Sequence, residues 1–313
     1  MFRTVDLFSG AGGLSLGFSN AGFNIVAAFD NWLPAVNFYR RNIPDHPVFL
    51  EDLSRKSSIQ KVKDFDPYLI IGGPPCQDFS SAGKRDESLG RADLTVAFAK
   101  IVKEVSPAWF VMENVDRAEK CRVYQKSISL LSKAGFKISC IVLDASRCGV
   151  PQRRRRIFAI GDKEGKSTEL QYLLKQDLSD KPTTLRDYFG NSLKIKHYYR
   201  HPRSYKRRGI FSIDEPSPTI RGVNRPIPDG YPGHPGDTSI VNDTLRPLTT
   251  RERSLIQTFP KDFDLSGNKS DIEQLIGNAV PVKLAEYVAR RLVQIILGGK
   301  TSILVENFCV SYA

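Results

Sequence analysis

The sequence predicts an α/β fold, a mostly parallel sheet covered by helices on both faces, joined to a small loop-rich domain. Three observations carry this. Short apolar runs of strand length alternate with segments of helical period through the first half of the chain, as in a sheet buried on both faces. From about Lys181 the texture changes: residues 181–247 are rich in Pro, Gly, Arg and Tyr and show little helical period. Helical spacing then returns at Thr249–Ile256 and Val282–Leu297. A chain of 313 residues that is 41% hydrophobic can bury one large core and one small one. The expected divisions are 1–181, 182–266 and a segment 267–313 that returns to the first domain.

The strand candidates, in order, are Thr4–Phe8, Ile25–Phe29, Val48–Leu50, Tyr68–Ile71, Trp109–Met112, Ile138–Leu143 and Arg156–Ile160. Each is a short apolar run rich in branched or aromatic residues. Leu94, Phe98, Ile101, Val102 and Val105 are spaced for one face of a helix. Ile128, Leu131 and Ala134 mark a second helix, which Gly135 should stop. Sheets of this type bind ligands beyond the carboxyl ends of their strands.

Lys and Arg total 46 against 34 Asp and Glu, a formal net charge of +12. That excess suits a polyanion, although it serves solubility equally well. The five cysteines form no C-x-x-C pair and the four histidines are scattered, so no zinc-ligand spacing exists and no metal is expected. Free thiols suit a reducing cytosol. No segment has the apolar length of a signal peptide or a membrane helix. The expectation is a soluble intracellular protein.

Four clusters carry chemistry. Strand Thr4–Phe8 runs into Ser9-Gly10-Ala11-Gly12-Gly13, where glycines let the backbone approach a ligand; a plain strand–helix turn would read the same way. Asp30 closes the next strand, where an acid can bind ribose hydroxyls. Ser15 stands where a dinucleotide loop has its third glycine, which disfavours NAD and leaves open an adenosine cofactor without a pyrophosphate, such as S-adenosylmethionine. Gly72-Gly73-Pro74-Pro75-Cys76 forms a rigid platform at a strand end, presenting either a nucleophilic or an inert thiol. Trp109–Met112 leads into Glu113-Asn114-Val115, a proton donor beside the cleft or a capping acid. In Gln152-Arg153-Arg154-Arg155-Arg156, Arg154 and Arg156 alternate and can share one face, unless the run is simply solvated.

These residues together resemble the DNA (cytosine-5)-methyltransferases of bacterial restriction–modification systems. The ordered motifs are Asp6–Leu14, Gly73–Gln77, Glu113–Val115, Gln152–Arg156, Arg246–Glu252 and Gly277–Pro281. The resemblance implies a Rossmann-like, S-adenosylmethionine-dependent methyltransferase sheet, with 1–181 catalytic and cofactor-binding and 182–266 reading the target. It implies that Phe8, Ser9, Gly10, Ala11, Gly12, Gly13, Leu14, Asp30, Asn31, Asp52, Leu53, Pro74, Leu94, Asn278, Ala279 and Val280 surround the cofactor. Phe8 would stack on adenine, Asp30 would take the ribose hydroxyls and Asp52 the adenine amino group. Cys76 would attack carbon 6 of a flipped cytosine, Glu113 hold ring nitrogen 3, and Arg156 contact the carbonyl at position 2. Arg154 would meet a phosphate, Asn114 fix the Cys76 loop and Pro75 line the base pocket. Ser80, Ser81, Lys84, Arg85 and Arg91 would close over DNA, and Thr219, Ile220, Arg221 and Arg225 would contact the target.

The implied partners are double-stranded DNA and, without a stable complex, a cognate restriction endonuclease. The enzyme would act as a monomer on DNA in the bacterial cytoplasm. A transfer-RNA cytosine methyltransferase is the first alternative, but residues 149–308 contain no Cys and so lack the Cys-Phe-Thr segment of that branch. A catalytically inactive DNA-binding homologue is the second, opposed by the presence of Cys76, Glu113 and Arg156, all three in place within their motifs.

Overall fold

The computed structural model describes residues 2–75 and 94–298. Cys76, Gln77, Ser80, Ser81, Lys84, Arg85 and Arg91 lie outside the described residues. The chain divides into two compact units: the first comprises 1–143, 155–178 and 285–313, the second 144–154 and 179–284. The second unit is therefore wider than the expected 182–266 at both ends.

In chain order the first unit begins β1 (Arg3–Leu7), α1 (Gly13–Asn20), β2 (Asn24–Asp30), α2 (Leu33–Asn42), β3 (Val48–Leu50), α3 (Ser57–Lys63) and β4 (Leu69–Gly72). It continues with α4 (Leu94–Val105), β5 (Trp109–Val115), α5 (Arg122–Lys133) and β6 (Lys137–Asp144). The short β7 (Gln152–Arg153), part of the second unit, precedes β8 (Arg155–Asp162) and α6 (Ser167–Gln176). All seven strands expected from the apolar runs are present, in one sheet ordered β3-β2-β1-β4-β5-β8-β6. The β1–β2, β1–β4, β2–β3 and β4–β5 pairs are parallel, whereas β8 runs antiparallel to β5.

The apolar runs form central strands because both faces are covered. Val5, Leu7, Phe29, Ile70, Phe110 and Met112 share one core cluster with Phe98, Ile101 and Val102 of α4 and Leu131 of α5. Burying each such side chain contributes roughly 1.5–3 kcal/mol. Helix α4 ends where Ser106 takes φ 57° and Pro107 follows, since proline cannot continue the i→i−4 ladder. Helix α5 stops before Gly135, at φ 92°, as its spacing predicts.

The second unit holds α7 (Leu185–Phe189), the antiparallel pair β9 (His197–Tyr199) and β10 (Ile210–Ser212), β11 (Ser217–Pro218) paired with β7, and helices α8 (Thr250–Ile256) and α9 (Lys269–Asn278). Helix α10 (Val282–Ile296) carries the chain back, with residues from Ala285 belonging to the first unit. The Thr249 and Glu252 side chains cap α8 reciprocally. Besides apolar side chains such as Tyr198, Ile210, Leu248, Ile256 and Ile276, the interior of this unit holds buried arginines. Arg154 is buried and donates to the carbonyls of Ile220 and Gly277 at 3.1 Å and of Asn278 at 3.3 Å. Arg253 pairs with Glu273, both side chains only 4% exposed. Gly277 packs so closely on the Arg221–Gly222 backbone that a Cβ would collide with it. No described helix is long and apolar enough to cross a membrane.

Candidate active site

In the first unit the predicted residues gather along the carboxyl edge of the sheet. Beyond β1 the chain turns sharply at Phe8, whose φ is 59°. Ser9 N–H donates to Phe29 O at 3.1 Å and Gly12 N–H to Ser9 O at 2.8 Å. Gly12, at φ 83°, has no room for a Cβ beside Ile43 and the Tyr39 ring. Gly10, in contrast, has nothing within 4 Å of where a Cβ would stand. Its N–H donates to Asp30 Oδ2 at 2.9 Å, while Trp32 N–H donates to Oδ1 at 2.9 Å. Burial pushes the Asp30 carboxyl up, and these backbone donors hold it down. Ser9 Oγ is buried with no hydrogen-bond partner among the described residues, so this turn has open space beside Gly10 and an unused hydroxyl.

A buried chain of hydrogen bonds supports this turn from beneath. Ser15 Oγ donates to Asp6 Oδ2 at 2.6 Å, Tyr39 OH donates to Ser15 Oγ at 2.7 Å, and His46 Nε2 lies 2.6 Å from the Tyr39 hydroxyl. Burial raises the Asp6 carboxyl to about 7. This support escaped the sequence reading because Tyr39 and His46 stand in no motif. Asp52 follows β3; its Oδ1 accepts from Ser54 N–H at 3.0 Å and Ser54 Oγ at 2.6 Å, bonds that lower its carboxyl. Leu53 is buried, Asn31 exposed, and Leu94 opens α4 half-buried.

The chemical end is built on β4 and β5. Pro74 is buried and Pro75 exposed on the loop leaving β4. Asn114 Nδ2 donates to Pro74 O at 3.0 Å, and its Oδ1 accepts from Val115 N–H at 2.8 Å, so Asn114 anchors the loop that runs on to Cys76. A Cβ on Gly73 would sit 3.1 Å from Glu113 Oε2, which keeps the loop backbone beside that carboxylate. Glu113 lies within β5 rather than beyond it, because the strand continues to Val115. Antiparallel pairing sets Arg156 opposite Val115. Its Nε stands 2.8 Å from Glu113 Oε1, with side chains 14% and 10% exposed. A carboxylate and a guanidinium, both largely shielded from water, thus meet beside the Pro74–Pro75 loop.

Two expectations need correction. Arg154 does not share a face with Arg156: it belongs to the second unit, and its buried guanidinium is committed to main-chain carbonyls rather than to a phosphate. Buried Ile220 is likewise scaffold, whereas Thr219 is only half-buried. Thr219 Oγ1 donates to Arg153 O at 2.7 Å, and buried Ile220 donates its N–H to Gln152 Oε1 at 2.9 Å. Arg221 and Arg225 do line a cleft of the second unit, together with His201 and Arg200, which the sequence reading missed. Asn278, Ala279 and Val280 also lie in that unit. Among the described residues, no cluster of His, Cys, Asp and Glu is arranged to hold a metal.

A family model described as C-5 cytosine-specific DNA methylase matches residues 2–294. The chain is 57% identical to the type II methyltransferase M.HgiDI of Herpetosiphon aurantiacus, covering 93% of this chain and 94% of that protein. It is also 57% identical to M.HindV of Haemophilus influenzae, over 93% and 96% of the two chains. Among solved structures, an E. coli prophage-encoded protein described as a DNA modification methyltransferase superposes with a TM-score of 0.69 at 25% identity, covering 95% of this chain and all of that one. The S. pombe Dnmt2 methyltransferase shares the fold, with a TM-score of 0.67 at 19% identity, over 95% and 99% of the two chains.

Proposed function

The chain belongs to the C-5 cytosine-specific DNA methylases, and from that premise we propose that it methylates one cytosine of a specific duplex sequence by base flipping and covalent addition of Cys76. The observation that carries this reading is the Glu113–Arg156 pair beside the Pro74–Pro75 loop. S-adenosylmethionine is the methyl donor that the family implies, and the site fits it: Gly10 leaves open space, Ser9 Oγ lacks a partner and Asp30 retains acceptor capacity for hydroxyls. Phe8, the 10–13 loop, Asp30 and Leu53 would hold it. When bound it supplies an electrophilic methyl group.

The remaining steps belong to this chain's residues. A cytosine inside the stack is out of reach, so it must be extruded at a cost of a few kcal/mol. Cys76 Sγ forms a bond to carbon 6. The ring electrons shift toward nitrogen 3, where Glu113 provides the proton, and carbon 5 becomes the nucleophilic end of an enamine. After methylation the carbon 5 proton passes to water, its bonding electrons re-form the carbon 5–carbon 6 double bond, Cys76 leaves as thiolate with the electrons of the Sγ–carbon 6 bond, and nitrogen 3 returns its proton to Glu113. Arg156 holds the carbonyl at position 2. Contact with that carbonyl would take the guanidinium away from its 2.8 Å pairing with Glu113. Asn114 holds Pro74, two residues before Cys76 in the sequence.

M.HgiDI and M.HindV are type II methyltransferases, so this chain would protect host DNA from a separate endonuclease, acting as a monomer in the bacterial cytoplasm. A duplex carrying 5-fluorocytosine at the methylated position should trap a covalent adduct with the wild type and none with Cys76→Ser. An adduct with the serine variant, or methyl transfer to transfer RNA but not to DNA, would overturn the reading.

A further inference from the structure

The second unit sorts its arginines into two classes. Arg186, Arg208, Arg246 and Arg253 each have a carboxylate partner: Asp214, Glu215, Glu252 and Glu273. On the stretches 200–207 and 221–225, no carboxylate pairs with Arg203, Arg207, Arg221 or Arg225 among the described residues. Arg203, Arg207 and Arg225 each lie close enough to act on Arg221. Burial, followed by the charges of Arg203, Arg225 and Arg207, lowers the Arg221 guanidinium, and burial together with Arg225 and Arg221 lowers His201. A fold that gathers like charges and leaves them without counter-ions offers that edge to a polyanion.

The four are not equivalent. Arg203, Arg207 and Arg225 are exposed and untethered. Arg221 is half-buried, donates through Nη2 to the carbonyl of His201, and has a buried Nε with no partner among the described residues. Its guanidinium is oriented by the His201 carbonyl before any ligand arrives, so less side-chain entropy is lost per bond formed by the terminal nitrogens. Untethered arginines can follow phosphates wherever these fall. A tethered fork suits one fixed pair of acceptors, and in the major groove guanine presents O6 and N7 in that geometry.

We propose that Arg221 reads one guanine of the recognition sequence by a two-bond contact to O6 and N7, while Arg203, Arg207 and Arg225 hold phosphates. This rests on the DNA methyltransferase reading above, and the two fail separately. Once bisulfite sequencing has defined the methylated sequence, 7-deazaguanine, which lacks the N7 acceptor, is placed at each of its guanines in turn. The wild-type rate should fall roughly 5- to 150-fold at one guanine. Arg221→Lys should lose a similar factor on the unmodified duplex, accept other base pairs at that position, and show little further loss with 7-deazaguanine there. Arg203→Ala, Arg207→Ala and Arg225→Ala should each weaken binding on all sequences alike and reduce the slope of log affinity against log salt by about 1. No sensitive guanine for the wild type, or losses from Arg221→Lys and 7-deazaguanine that simply multiply, would overturn the assignment to Arg221. A wild type that methylates no DNA would overturn the function itself.

Discussion

Asp6 is the most heavily buried carboxylate beneath the glycine turn, and its substitution has a calculable consequence. The side chain is fully buried, and burial raises its carboxyl from 3.8 to about 7, with the charge of Asp30 adding to the rise and Ser15 opposing it. A folded-state value above the unfolded one means that the folded protein binds the proton more tightly. The stability gained from that proton is complete below about pH 3.8 and is lost as pH rises through about 7. At about 1.36 kcal/mol per unit of difference, the penalty is about 4 kcal/mol at pH 8 and about 2 kcal/mol at pH 5. Asp6→Asn cannot ionise, so it should be more stable than the wild type by about those amounts, and by more at pH 8 than at pH 5. The groups facing Asp6 are Ser15, Tyr39 through Ser15, and Asp30; none of them inverts this order. Trp32 and Trp109, the chain's two tryptophans, both lie in the first unit, so urea unfolding followed by their fluorescence reports on it. An Asn variant whose advantage is equal at the two pH values, or larger at pH 5, would refute the reasoning, because a packing effect carries no pH dependence.

Three other outcomes follow from the same contacts. Gly12→Ala must adopt a left-handed backbone at about 1–2 kcal/mol and displace Ile43 and Tyr39 at about 1–3 kcal/mol; tryptophan-detected unfolding should show the sum, with weaker binding of S-adenosylmethionine in calorimetry. Asn114→Ala removes the 3.0 Å bond to Pro74 and leaves a buried carbonyl unsatisfied, which should cost about 1–3 kcal/mol and slow methyl transfer; unchanged stability and rate would show that the loop is held by other means. Arg253→Met strands Glu273 in the interior of the second unit, at about 3–5 kcal/mol, and circular-dichroism melts should show much of that loss recovered by Arg253→Met with Glu273→Leu.

The amino-acid sequence determined by itself what depends on local pattern. Strand-length apolar runs and helical spacing located all seven strands of the sheet and the helices α4 and α5. The glycine turn after β1 and the proline loop after β4 were legible because strained or rigid backbone requires particular residues wherever it occurs. What tertiary structure alone decided was pairing and partnership. That β8 runs antiparallel to β5, and so brings Arg156 to within 2.8 Å of Glu113, is encoded in no local period. The five-residue run 152–156 reads as one charged stretch, yet its members go to different units: Arg154 is buried among carbonyls of the second unit, while Arg156 sits at the edge of the first unit's sheet. The Asp6–Ser15–Tyr39–His46 chain and the division between paired and unpaired arginines were equally hidden. The physical reason is the same for each. Periodicity records whether a side chain faces the core, but the identity of a charged group's partner is set by residues that only the folded chain brings together.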